Sequence, residues 1–212
     1  MPTKKEVSAL LFEELKAPLS ERGFKGKKSD FSFEMKMPGW EYVIVGDIAM
    51  YQFPVAHFHF VATCETIEKL LAEGLPERRK DTGYEPTLRF PHMIFLDNPA
   101  NNEDFYIEAD DYFDIVAGNF IELFDEKINP VLTDCRDLQK FDALANKAPY
   151  KPLQWFGAES NRVLRGLVIR QLVNPAGLEE VIEMYTPVVK TLDKYTKKEF
   201  GMLSEYLKKA GG

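Results

Sequence analysis

Cysteine is nearly absent from this chain of 212 residues: Cys64 and Cys135 are the only two. They stand far apart and match neither a metal-ligand spacing nor a redox pair, which predicts two reduced, buried thiols and a cytoplasmic location. Long apolar runs are missing as well. No stretch approaches the roughly 20 apolar residues of a membrane helix. The amino terminus, MPTKKEVSALLFEELK, is interrupted by charge throughout, unlike the core of a signal peptide. There is no glycine-rich phosphate loop and no nucleophile-base constellation, so no reaction is named by the residues alone. Basic charge is in deficit, with 27 Lys and Arg against 34 Asp and Glu and a formal net charge of -7. A phosphate backbone is repelled on average by such a surface, which argues against nucleic acid and favours a basic protein as partner.

What the chain does have is apolar and aromatic. Its hydrophobic fraction is 45%, with 16 Phe and 9 Tyr, enough to build a core and to exclude wholesale disorder. Thr3 and Glu6 have capping-box spacing. Val7, Leu11, Leu15 and Leu19, joined by Leu10, then recur as a helical stripe. Pro18 should kink or shorten the last turn, and Gly23 offers a left-handed stop with Phe24 folding back.

The period then changes to two. In FSFEMKM, Phe31, Phe33, Met35 and Met37 face one way, and Ser32, Glu34 and Lys36 the other. PGW (38–40) supplies a turn, EYVIVGDIAMYQF returns as a strand with Gly46 as a bulge or bend, and Pro54 opens the next strand. ETIEKLLAEGL reads as a short helix stopped by Gly74 and Pro76. TLRFPHMIFL reads as a strand demoted at Pro91, and FYIEA as one more short strand.

From Asp110 the pattern is helical. Phe113, Val116, Phe120 and Phe124 share a face, and Pro130 is expected to end the segment. RDLQKFDALANKA is a second helix, followed by the proline-broken PYKPLQWFG. Val163, Leu164, Leu167 and Val168 mark one face of the next helix. Asn174 and Pro175 suit the cap and first position of a last, long helix running through Leu178, Ile182, Tyr185, Val189 and Leu192 to Leu203 and Leu207, with a kink at Pro187. Helix, then strands, then helices is the order of an α+β fold: an amino-terminal helix and a mainly antiparallel sheet packed against helices. The expected division is an α+β domain over 1–150 and a carboxy-terminal helical extension over 151–212, packed on it or mediating a homodimer.

Four groups of residues invite a functional reading. In VAHFHFVAT, His57 and His59 lie on one face of a strand. With His92 and Asp47 they offer the ligand types of a zinc site, although only two of the three or four ligands are placed by sequence. The plainer reading is imidazoles hydrogen-bonded near a sheet edge. Glu108, Asp110, Asp111 and Asp114 gather at a helix start, where carboxylates cap amides and favour the dipole, and where they can also hold magnesium or act as acid and base. Lys25, Lys27 and Lys28, and Arg78, Arg79 and Lys80, form two basic clusters that flank turns and read as solvated loops. Arg162, Arg165 and Arg170 decorate one helix. Arg162 and Arg165 share a face and can grip an acidic patch or a carboxylate ligand, although pairing with the chain's own Glu and Asp is the plainer reading. Trp40 and Trp155 complete the candidate ligand- or partner-binding residues.

The run LLFEELKAPLSERGFKGKKSDFSFE resembles an uncharacterised bacterial family, domain of unknown function 4304. Pro18, Leu19, Gly23, Phe24, Lys25, Lys27, Lys28 and Phe31 carry the likeness. It covers about a sixth of the chain, the last sixty or so residues looking like an addition, and its motif ends and staples a helix. The resemblance implies a fold and no catalytic residues. It also implies a small cytoplasmic protein that binds a partner, as toxin-neutralising proteins do. The sequence thus points to a non-enzymatic protein-binding module without a cofactor, an immunity-type protein being one specific form. Two alternatives stay open: a zinc-dependent hydrolase using His57 and His59, and a small-ligand sensor with an aromatic pocket.

Overall fold

Helix α1 (Lys4–Glu21) opens on the capping box: Glu6 N–H donates to Thr3 Oγ1 at 3.3 Å and Thr3 N–H donates to Glu6 Oε2 at 2.7 Å. Its stripe of Val7, Leu11, Leu15 and Leu19 is fully buried, Phe12 joins it, and Leu10 lies off it, half exposed. The helix runs three residues past Pro18. It ends as a Schellman motif, with Phe24 N–H donating to Leu19 O and Gly23 N–H to Ser20 O, each at 3.0 Å, and Gly23 at φ 89°. This computed structural model describes residues 2–78, 86–96, 103–109, 112–148, 150 and 153–210. Arg79, Lys80, Asp110 and Asp111, among the residues singled out above, lie outside the described set.

The chain divides into two compact units, Met1–Ala62 with Arg89–Leu132, and Thr63–Leu88 with Thr133–Gly212. The border therefore does not fall at residue 150, because an early helix clusters with the late ones.

The first unit carries the bulk of a five-stranded antiparallel sheet in simple sequence order: β1 (Lys25–Lys27), β2 (Ser32–Met37), β3 (Trp40–Met50), β4 (Pro54–Cys64) and β5 (Leu88–Pro91). Met37 pairs with Trp40 across the two-residue Pro38-Gly39 loop, and Gly39 at φ 74° supplies the positive φ of a type II turn. One sheet face is buried. Phe33, Tyr42, Ile44, Phe58, Phe60 and Phe90 point into it. Phe12 of α1 stacks on Phe33 at 4.8 Å, and Phe120 meets Phe58 at 3.9 Å. Each such phenyl ring withdraws enough surface to contribute about 1.5–3 kcal/mol. The opposite face, with Glu34, Glu41, Val43, Val45, His57, His59 and Val61, is half-buried or exposed, as one-sided antiparallel sheets are.

Gly46 lies inside the continuous strand β3. It makes room for Phe31, which leaves the strand in the left-handed region at φ 43° and lays its ring over the glycine. Gly46 N–H donates to Phe31 O at 2.8 Å, and a Cβ at Gly46 would sit 2.5 Å from the Phe31 ring.

The helical segment after the sheet also departs from expectation. Pro130 does not end it. Helix α3 (Tyr112–Leu123) passes through one π turn (Phe124–Ile128) into α4 (Asn129–Arg136). Asn129 N–H reaches back five residues to Phe124 O. A proline lacks the amide and its ring clashes with the carbonyl four residues earlier, so the widened turn falls where Pro130 needs the space. FYIEA is no strand: only Tyr106 bridges to Val55. TLRFPHMIFL gives four strand residues, and a 3-10 turn follows Pro91.

The second unit is helical: α2 (Glu65–Gly74), α5 (Leu138–Ala145), α6 (Glu159–Val173), α7 (Leu178–Val189) and α8 (Lys194–Ala210). Helix α6 is not amphipathic. Arg162 to Ile169 are buried without interruption, as befits a helix surrounded by its neighbours. The long last helix is two helices, because Asp193 accepts the amides of Tyr195 and Thr196 at 2.8 and 3.1 Å and starts α8 afresh. Asn174 makes no side-chain cap, and Pro175 opens a 3-10 turn instead.

Gly46→Ala is expected to destabilise the protein by about 1–3 kcal/mol through overpacking, read from the urea midpoint. Combined with Phe31→Ala the penalty should be clearly less than additive. Additivity would mean that the ring and the glycine are not coupled.

Candidate functional site

The histidines resolve into separate roles. His92 is fully buried, and its Nδ1 accepts the Phe58 amide at 3.2 Å. Its ring lies 4.4 Å from that of Phe105, centroid to centroid. It continues the edge of β4 where β5 has turned away. His57 is half-buried and 6.1 Å from the His92 ring, and His59 is exposed on the open face. Asp47 is paired to Lys4 at 2.6 Å, and this bond holds its carboxyl below the usual range. Among the described residues no group of three His, Cys, Asp or Glu converges as a metal set. Of the four proposed zinc ligands, one is bonded to the backbone and one to a lysine.

Arg162 and Arg165 are not surface grips: each is 1% exposed. Both belong to the second unit, and both are engaged within it. Arg165 makes a bidentate pair with Glu68 of α2, Nε to Oε1 at 2.8 Å and Nη2 to Oε2 at 2.9 Å. The Thr87 hydroxyl donates to Glu68 Oε1 at 2.7 Å and accepts the Cys64 amide at 2.8 Å. Arg162 donates through Nε and Nη2 to Ala145 O at 3.2 and 2.8 Å, placing a cation on the carboxy-terminal end of α5. The Tyr185 hydroxyl reaches the same carbonyl at 2.9 Å. Arg170 pairs with Asp142 at 3.0 Å. All three arginines thus hold α6 to its neighbours, the intrachain alternative.

Trp40 of the first unit is 8% exposed and stacks on Tyr42 at 5.7 Å. Trp155 of the second unit is half-buried in a 3-10 turn. Lys28 pairs with Glu13 at 2.7 Å, Lys27 with Asp30, and Arg78 with Glu199. Burial pushes Cys64 up and Cys135 up to about 12, so both thiols stay protonated and are poor nucleophiles.

One feature of the first unit escaped the sequence reading. The strand read through MYQF ends at Met50, and residues 51–53 turn. Met50, Tyr51 and Phe53 are 41, 72 and 37% exposed there. With Pro2, Pro54, Ile107, Glu108 and Phe113 they line a recess of about 200 Å³. The available signal was an aromatic turn, in a position where Gly, Asn, Asp and Pro are usual. No helix is long and apolar enough to cross a membrane, among the described residues. Comparison of the chain with protein-family models, with curated proteins and with solved structures finds no match.

Removing one partner of a buried ion pair strands the other charge. Glu68→Ala should therefore cost about 3–5 kcal/mol. A Glu68→Leu, Arg165→Met double variant should recover much of that loss in urea denaturation. A mild Glu68→Ala would show that the pair is dispensable. For His57, burial is the leading cause and lowers its pKa below 6.5, against the opposing pull of Asp47. The unfolded chain then takes up the proton first, so this contribution to stability is present above pH 6.5 and is lost as pH falls below it toward the folded value. His57→Gln should flatten the fall in urea midpoint on acidification. An unchanged slope would assign that sensitivity elsewhere.

Proposed function

We propose that this protein is a non-enzymatic binding module of the bacterial cytoplasm whose ligand is another protein, with neutralisation of a toxin as one specific form. The observation that carries the reading is the exposed apolar rim of Met50, Tyr51 and Phe53 around a recess. Large aromatic side chains held out at a turn bury well against a partner and are the residues that dominate interfaces. The arginines and histidines with chemical potential support the same reading from the other side. Arg162, Arg165 and His92 are occupied in holding backbone and carboxylates within their own unit, which leaves them ill-suited to a substrate. The protonated thiols add no nucleophile.

A photo-crosslinking residue placed at Tyr51, in cells that make the protein naturally, is expected to yield a discrete protein adduct. The same residue at Lys36, on the open sheet face, should not. Competition by excess unlabelled protein should remove the adduct, and competition by the Tyr51→Ala, Phe53→Ser variant should not. Equal labelling at both positions, or no adduct at either, would overturn the reading.

A further inference from the structure

The recess at the β3–β4 turn is small and built from fixed walls. Its volume of about 200 Å³ lies below the roughly 300–1,000 Å³ of sites that enclose a drug-sized ligand. It suits one or two large side chains. Tyr51 N–H donates to Phe53 O at 3.4 Å, Ile107 N–H donates to Pro54 O at 2.8 Å, and Val55 bridges to Tyr106. The walls are thus tied to each other through the backbone, so an occupant meets a surface already organised for it.

Its charge has one sign. Among the described residues Glu108 is the only charged one in the lining; it is exposed and makes no ion pair with a described residue. The two stretches that form most of the recess carry no Lys or Arg between Lys36 and Lys69, nor between Arg89 and Lys127. The second stretch holds ten Asp and Glu in sequence, of which Asp125 is paired with Arg22. Pro2 completes the lining; beyond it Lys4 is paired with Asp47, and Lys5 is exposed. A second copy of this chain or an anionic surface would bring like charge to like.

We propose that this recess anchors a basic segment of a partner protein. An aromatic or long aliphatic side chain of that segment enters beside Tyr51, Phe53 and Phe113, and a flanking Lys or Arg pairs with Glu108. The proposal rests on the protein-binding reading and adds to it the seat and the chemistry of the partner. The acidic stretches steer the approach, and the apolar anchor supplies the contact that persists.

The test is fluorescence anisotropy with three labelled synthetic peptides: Lys-Lys-Trp-Leu-Lys-Lys, its charge reversal Glu-Glu-Trp-Leu-Glu-Glu, and Lys-Lys-Gly-Ser-Lys-Lys. The first should bind, more weakly as salt rises, and the other two should not. Tyr51→Ala and Glu108→Lys should each weaken it by about tenfold or more. Both side chains are exposed, so the variants should keep the melting temperature of the natural sequence. Equal binding of the charge-reversed peptide, or indifference to both substitutions, would overturn the proposal. So would a concentration-dependent dimer that Tyr51→Ala abolishes. No peptide binding alongside a persistent Tyr51 adduct would remove the basic segment and leave the protein-binding reading standing. Loss of both would remove both.

Discussion

The second unit depends on a buried charge and its answer. Arg165 lies in a helix covered on all sides, where an uncompensated guanidinium is penalised by several kcal/mol, of the order found for ions taken out of water. Glu68 supplies the counter-charge through two hydrogen bonds, and Thr87 fixes the carboxylate that does so. The pair is weak evidence for stability, since well-packed apolar residues often serve as well. Its consequence is geometric. Only one seating of α2 on α6 brings both oxygens to both nitrogens, so the ion pair sets the register of two elements remote in sequence. Gly74 at the end of α2 then lets Leu203 and Tyr206 of α8 approach, because a Cβ there would lie 2.6 Å from Leu203.

The first unit faces a different constraint, the open edge of a sheet. Unpaired strand amides are costly when buried and invite foreign strands when exposed. Strand β4 is longer than β5, and the missing ladder is completed piecewise. The His92 imidazole accepts the Phe58 amide, and the segment at Tyr106 and Ile107 bridges the start of the strand. Accepting at Nδ1 places the ring proton on Nε2, so His92 serves the backbone as a neutral imidazole. At HFHF the bond to the strand amide comes from the third histidine, far away in sequence.

Where structure follows local periodicity, it was legible in the sequence. The capping box at Thr3 and Glu6, the stop at Gly23 and Phe24, and the alternation through Ser32 to Met37 are each decided by neighbours a few residues apart, and each stands as read. The misreadings share a cause. Gly46 makes room for a ring fifteen positions earlier, and Arg165 answers a carboxylate ninety-seven positions before it. Arg162 and Arg165 look like surface because charge reads as solvent, yet the long-range partners that permit their burial carry no local mark. Pro130 reads as an ending because a proline breaks an α-turn, and the π turn that accommodates it has no compositional signature. The division at 150 failed for the same reason, since the pairing of α2 with α6 is not written near either helix.

These tertiary demands bear on function by elimination among residues of the same kind. Arg162, Arg165, Arg170, His92 and Asp47 are held by carbonyls, amides, carboxylates and a lysine inside their own unit. Met50, Tyr51 and Phe53 are different. The turn does not need them, because residues 51–53 stand at no positive φ and nothing in its backbone calls for an aromatic side chain. The core of the unit does not use their exposed surface, because Phe105, Ile107 and Phe113 already close it below. Apolar area left in water by both local geometry and packing is a cost that burial against a partner removes. At this turn that area adjoins the exposed carboxylate of Glu108, which makes no ion pair with a described residue, so the same few side chains offer both an apolar surface and a negative charge beside it.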